Sequence, residues 1–251
     1  MASICFVIPV YKSYYLLERC ILSILEQKEN YNLNIIIVDD TPVECRMDIK
    51  KYTDYSEISI LYNTKNMGVT YSRNKGWFYS TSDYVVFLDS DDYLFKNAIS
   101  NIFYEINNTK KINLYLFRTI SLSSQLVGRP LPRKRFLGVQ SIVDTYNSGE
   151  RLLCLKRTKI KPFISYTRGH EFSGLLRYIS NFNDFQSIDV GYPARVYCDD
   201  NTHSISSGKE LYKRKNKLII GHKITTVEFL KQRKIKDAVM WYLRYLKLFI
   251  R

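Results

Sequence analysis

Apolar and polar residues come in alternating blocks from the start of the chain to Asp92. The segment SICFVIPV is short and continuously apolar, the pattern of a buried strand. Behind it, YYLLERCILSILEQ carries Leu16, Leu17, Cys20, Ile21, Ile24 and Leu25 at helical spacing. LNIIIVDD and ISILYN repeat the strand pattern, VTYSRNKGWFYSTS predicts a second helix, and DYVVFLD a fourth strand. Continuous apolar strands separated by helices predict a parallel α/β sheet. Ligands of such sheets bind outside the carboxyl ends of the strands. Both acidic clusters, Asp39-Asp40 and Asp89-Ser90-Asp91-Asp92, fall at such ends.

From about Phe95 the pattern loosens. KNAISNIFYEI predicts a helix, INLYLFRTISL a strand, GHEFSGLLRYIS a helix start, and RVYCDDNTHSISSG a strand followed by a loop. VGRPLPRKRFLG, with Arg129, Arg133, Lys134 and Arg135, reads as a basic loop. The segment from Lys209 to Arg251 is helical in pattern and rich in Lys and Arg, and it ends AVMWYLRYLKLFIR. Two outcomes suit that tail. It forms an interfacial helix with Trp241, Tyr242, Tyr245 and Phe249 near lipid headgroups, or it packs its apolar face on the body. The expected division is 1–92, 93–208 and 209–251.

Length and composition narrow the classes. A chain of 251 residues, 45% hydrophobic, can build a substantial core. Five scattered cysteines argue against a disulfide framework or a zinc site and suit a reducing cytosol. The first apolar run holds Pro9 and has no basic segment before it, so no secretory leader is expected. No stretch has the roughly 20 apolar residues that a membrane span needs. The formal net charge of +14 favours a polyanionic partner: nucleic acid, anionic lipid or a phosphorylated substrate. The 21 tyrosines suit an AT-rich bacterial gene.

Crowded carboxylates at a buried strand end need a counter-charge. Mg²⁺ or Mn²⁺ is the natural candidate, because such ions take carboxylate oxygens and leave positions for phosphate. The plainer alternative is a solvated acidic turn with Asp92 as the N-cap of the next helix.

Four segments in order extend this picture: VIPVYKS, IIIVDDTPVE, NMGVTYSRNKG and FLDSDD. In their sequence and spacing the chain resembles the family 2 glycosyltransferases. The resemblance implies a GT-A fold, a mainly parallel Rossmann-like sheet flanked by helices, here with a C-terminal helical extension. It places Pro9 and Tyr11 beside the nucleotide, and Asp39, with Asp40 beside it, at the nucleoside. Asn66, Gly68 and Arg73 belong to the nucleotide site, Arg73 near the diphosphate. Asp89 reaches the ribose or metal, Ser90 belongs to the nucleotide site, and Asp91 ligates the metal. HEFSGLLRY resembles the family's catalytic-base segment, with Glu171 as base and Arg177 as its arginine. His170 replaces the first acid of that segment and shares or tunes the role. THSIS resembles the histidine-serine segment, so His203 completes the metal shell or touches the diphosphate.

The implied activity is inverting transfer from a nucleotide-diphosphate sugar, a UDP-sugar first, with Mn²⁺ or Mg²⁺. The expected acceptor is a saccharide on a lipid diphosphate in O-antigen or capsule synthesis, at the cytoplasmic face of a bacterial membrane. A non-catalytic GT-A-like nucleotide-binding subunit is an alternative that the His170 replacement keeps open. A basic nucleic-acid-binding protein leaves the acidic clusters unexplained, so no nucleic acid is expected as partner.

Overall fold

The computed structural model describes residues 2–109, 111–129, 134–140, 142–143, 149–166, 171–198 and 215–250. The first part runs β1 (Ile4–Val10), α1 (Tyr14–Leu25), β2 (Leu33–Asp39), β3 (Ile58–Tyr62), α2 (Val69–Tyr79) and β4 (Tyr84–Phe87). The second adds β5 (Tyr93–Leu94), α3 (Ala98–Asn108), β6 (Leu114–Ser121), β7 (Lys134–Leu137), β8 (Arg151–Lys156), α4 (Glu171–Ile179) and β9 (Gln186–Tyr197). Two helices, α5 (Lys215–Lys231) and α6 (Ile235–Ile250), follow. The strands form one sheet in the order β3-β2-β1-β4-β8-β6-β9-β5, with β7 on β9.

From β3 to β4 the sheet is parallel, as the alternating blocks predict. Beyond β4 it is mixed: β8 lies antiparallel between β4 and β6, while β6 and β9 pair in parallel. The segment read as a basic loop contains a strand, since Lys134–Leu137 pairs antiparallel with β9. Arg133 lies outside the described residues. All five cysteines are free thiols.

The unbroken apolar run of β1 follows from burial on both faces. Ile4, Phe6, Ile8 and Val10 enter one core with Leu17, Ile21 and Ile24 of α1 and Ile99 and Phe103 of α3. Cys5 and Val7 face a second core containing Trp77, Phe163, Leu176, Phe229 and Trp241. Helix α2 is different, for its buried face is small and polar: Thr70, Ser72, Asn74 and Gly76 beside Trp77. The Asn74 amide donates to the Phe163 carbonyl at 2.9 Å and accepts from the Phe163 N–H at 3.2 Å. Gly76 lets this helix lie against β1, because a Cβ there would sit 2.3 Å from Val7 Cγ1.

The tail takes the packed course. Helices α5 and α6 pack on each other, and α5 packs on α4. Trp241 is 2% exposed and stacks on Phe172 at 5.4 Å, so it does not point toward headgroups. A second face of α6 stays open, with Val239, Tyr242, Leu243, Leu246, Phe249 and Ile250 all exposed. Among the described residues no helix is long and apolar enough to cross a membrane.

Candidate active site

The acidic ends of β2 and β4 flank β1, which lies between them in the sheet. Asp39, the last residue of β2, is fully buried. Its carboxylate accepts from the Thr41 N–H and the Tyr14 hydroxyl, both at 2.9 Å, and lies 3.4 Å from Arg46 Nε. Arg46 is itself held by the carbonyls of Thr41 (2.9 Å) and Asn63 (2.8 Å) and covers the Tyr62 ring at 4.7 Å. The neighbouring Asp40 turns the other way. It accepts from Asn63 Nδ2 (2.8 Å) and from the backbone N–H groups of Met67 and Gly68, both at 2.7 Å. These bonds shape the turn that carries exposed Asn66 into α2. Gly68, at φ +91°, supplies a left-handed backbone that other residues adopt at a cost. Pro9 is buried within β1, and Tyr11 just after it is exposed.

At the β4 end the protein supplies counter-charges of its own. Arg73 Nη2 donates to Asp89 Oδ1 at 2.6 Å, and its guanidinium covers the Phe163 ring at 5.5 Å. Burial would push the Asp89 carboxyl up, but Arg73 and Arg195 outweigh it and hold it below the usual range. Burial works likewise against the Arg73 charge, and Asp89, Glu171 and Glu150 outweigh it and raise its pKa. Arg73 thus shares one electrostatic neighbourhood with the strand-end acid and the candidate base. The Ser90 hydroxyl lies 2.6 Å from that of Ser13. Asp91 is half-buried, and its carbonyl accepts from Arg19 Nη2 at 3.0 Å.

Asp92 caps no helix: α3 begins at Ala98 with Asn97 at its N-cap. The Asp92 carboxylate is buried, accepts from the Cys198 N–H at 3.1 Å and sits 3.4 Å from Arg195 Nη1. Burial, aided by Asp89 and Asp91, carries its pKa up to about 7 against the pull of Arg195.

Glu171 opens α4, half-buried, and Arg177 stands in the last turn. The helix is pressed closely on the chain before it. A Cβ at Gly174 would lie 2.8 Å from both Ile164 N and Phe163 Cα. Since backbone cannot swing aside as a side chain can, Gly174→Ala is expected to cost about 1–3 kcal/mol. Thermal unfolding would show this as a lower Tm; an unchanged Tm would mean that α4 is free to shift. His170 and His203 lie outside the described residues, as do Asp199 and Asp200.

Among the described residues no three His, Cys, Asp or Glu side chains are grouped to hold a metal ion. The donor chemistry at the β4 end nevertheless fits a hard divalent cation. Asp89, its side chain 35% exposed, and half-buried Asp91 offer carboxylate oxygens on one turn.

The model of glycosyl transferase family 2 matches residues 5–179, which spans both acidic clusters and α4. The chain belongs to glycosyl transferase family 2. This family member is 30% identical over 150 residues to a poly(ribitol-phosphate) beta-glucosyltransferase of Bacillus spizizenii, a match covering 57% of the chain and 22% of that relative. It is 26% identical over 220 residues to UDP-Glc:alpha-D-GlcNAc-diphosphoundecaprenol beta-1,3-glucosyltransferase WfgD of Escherichia coli, covering 81% and 79%. The chain therefore spans about a fifth of the first relative's length. Among solved structures, S. aureus TarS 1-349 in complex with UDP-GlcNAc superposes with a TM-score of 0.71 at 14% identity, covering 98% of this chain and 73% of that one. The glycosyltransferase accordingly has the GT-A fold.

Several site residues carry little sequence signal. Tyr14 and Arg46 meet Asp39 only through folding, and Arg195 reaches Asp92 from more than a hundred residues away. The local hint for Asn63 is its place just past β3, at a strand's carboxyl end.

Proposed function

We propose that this glycosyltransferase moves a sugar from a UDP-sugar, with inversion, to a saccharide carried on a lipid diphosphate during bacterial surface-polysaccharide synthesis. The observation that carries this is the pairing of a buried acid at the end of β2, Asp39, with an acidic turn, Asp89 to Asp91, across β1. The named activity of WfgD and the UDP-GlcNAc complex of TarS support the donor and acceptor classes by analogy.

The base edge of the nucleotide meets Asp39, whose carboxylate oxygens accept hydrogen bonds. Tyr14 and Arg46 cover it, so one of them gives way when the base arrives. Tyr11 offers a ring face to the base. Asp40 acts at one remove, by holding the Asn66–Gly68 turn. Asp89 and Asp91, completed by His203, would hold Mn²⁺ or Mg²⁺. Such an ion, when bound, supplies Lewis-acid stabilisation of the leaving diphosphate. Arg73 adds a fixed cation beside the diphosphate. Glu171, tuned by His170, takes the proton from the attacking acceptor hydroxyl. Transfer from UDP-glucose to a synthetic N-acetylglucosamine-diphospho-lipid is the direct test. A protein that binds UDP yet transfers no sugar to any such acceptor would contradict the proposal.

The acceptor's lipid gives the open face of α6 a use. Val239, Leu243, Leu246 and Phe249 are exposed on α6 while Trp241 is buried, and Lys236 and Lys247 on the same helix are exposed too. This face would rest on the anionic cytoplasmic leaflet, with an O-antigen or capsule intermediate beside it. Replacing Leu243 and Leu246 by Ser is expected to weaken binding to phosphatidylglycerol vesicles by roughly tenfold or more. Unchanged cosedimentation would remove the face from this role.

A further inference from the structure

Glu150 lies just before β8, outside every motif of the family pattern, yet Arg195 ties it to Asp92 of the β4 turn. Its Oε2 is 3.1 Å from Arg195 Nη2, while Arg195 Nη1 is 3.4 Å from Asp92 and Nε donates to Thr119 Oγ1 at 3.1 Å. Glu150 also lies within the electrostatic reach of Arg73, together with Asp89 and Glu171. The β4–β8 register, which pairs Val86 with Cys154, runs toward the Asp89–Asp91 turn on one strand and toward Glu150 on the other.

The backbone beneath Glu150 is fixed with unusual care. Gly149 stands at φ +107°, and a Cβ there would lie 2.5 Å from Gly128 Cα. The next residue, Arg151, pairs with Asp189 at 3.0 Å, both side chains fully buried. Arg151 also donates to the carbonyls of Glu150 (2.9 Å) and Arg129 (3.1 Å). Burying an ion pair stabilises a fold no better than an apolar pair of the same size. Here two buried arginines serve one end: Arg151 fixes the main chain of Glu150 and Arg195 its carboxylate. The Glu150 side chain is nonetheless 60% exposed. An oriented, solvent-facing carboxylate joined through Arg195 to the acidic β4 turn suits a ligand with hydroxyl donors, and it repels a diphosphate.

We infer that Glu150 is an acceptor-binding residue, which accepts hydrogen bonds from hydroxyls of the acceptor saccharide and aligns it for attack. This rests on the function proposed above. The experiment is steady-state transfer at saturating UDP-glucose with a titrated synthetic N-acetylglucosamine-diphospho-lipid, for wild type, E150A and E150Q. E150A is expected to raise the acceptor KM roughly tenfold or more. The UDP-glucose KM and UDP affinity stay as in wild type, and E150Q, which keeps an acceptor oxygen, recovers part of the loss. An unchanged acceptor KM, or a donor KM that rises in step with it, overturns this role alone. A wild type that binds UDP but transfers nothing to the probe overturns the proposed function, and this role falls with it.

Discussion

Replacing Asp91 by Asn is expected to lower sugar transfer by at least about a hundredfold with the fold intact. The reason lies in how the three acids of the β4 turn divide their work. Asp92 faces inward to Arg195 and the Cys198 N–H. Asp89 has committed one oxygen to Arg73. Asp91, half-buried on the same turn, is the divalent-ion ligand of the proposed mechanism. Lewis-acid stabilisation of a leaving diphosphate is worth several kcal/mol, and each 1.36 kcal/mol is about tenfold in rate. Asn keeps the shape of the side chain and leaves untouched the main-chain carbonyl that accepts from Arg19. Initial rates with UDP-glucose at saturating Mn²⁺, beside a thermal melt, separate lost chemistry from lost structure. Transfer near the wild-type rate would remove Asp91 from the metal role.

The second large effect is expected at Glu171. Changing it to Gln removes a base but keeps its size, and general-base catalysis contributes on the order of 10²–10⁴-fold. The loss should fall on kcat, with the donor KM unchanged, because the proposed partner of Glu171 is the acceptor hydroxyl and not the nucleotide. Gly174 gives the side chain a firm base by seating α4 on Phe163 and Ile164. A Gln variant with near-wild-type kcat would move the base elsewhere, His170 first.

The parallel half of the sheet was legible because β1, β2 and β4 are buried on both faces and so read as unbroken apolar runs. The helix α1 was equally plain, its apolar stripe facing the core. Other parts were hidden for physical reasons. RLLCLK is a strand whose first residue is a buried arginine, and its partner Asp189, on β9, with the carbonyls of Glu150 and Arg129, makes that tolerable. Asp92 looks like a helix cap in one dimension; its partner Arg195 comes from β9, which no local pattern reveals. Trp241 suits an interfacial helix by composition, but the ring of Phe172 draws it into the body. At the site, the strand-end acids stood out by their clash with burial. Glu150 did not, because an exposed glutamate before a short strand is ordinary until its two arginines are seen.

The most direct measurement is calorimetric titration with UDP in three conditions: wild type with Mn²⁺, wild type with EDTA, and D91N with Mn²⁺. The expected result is binding in the first that weakens by roughly tenfold or more in the other two. Equal affinity in all three would contradict a nucleotide diphosphate held through a cation at the end of β4.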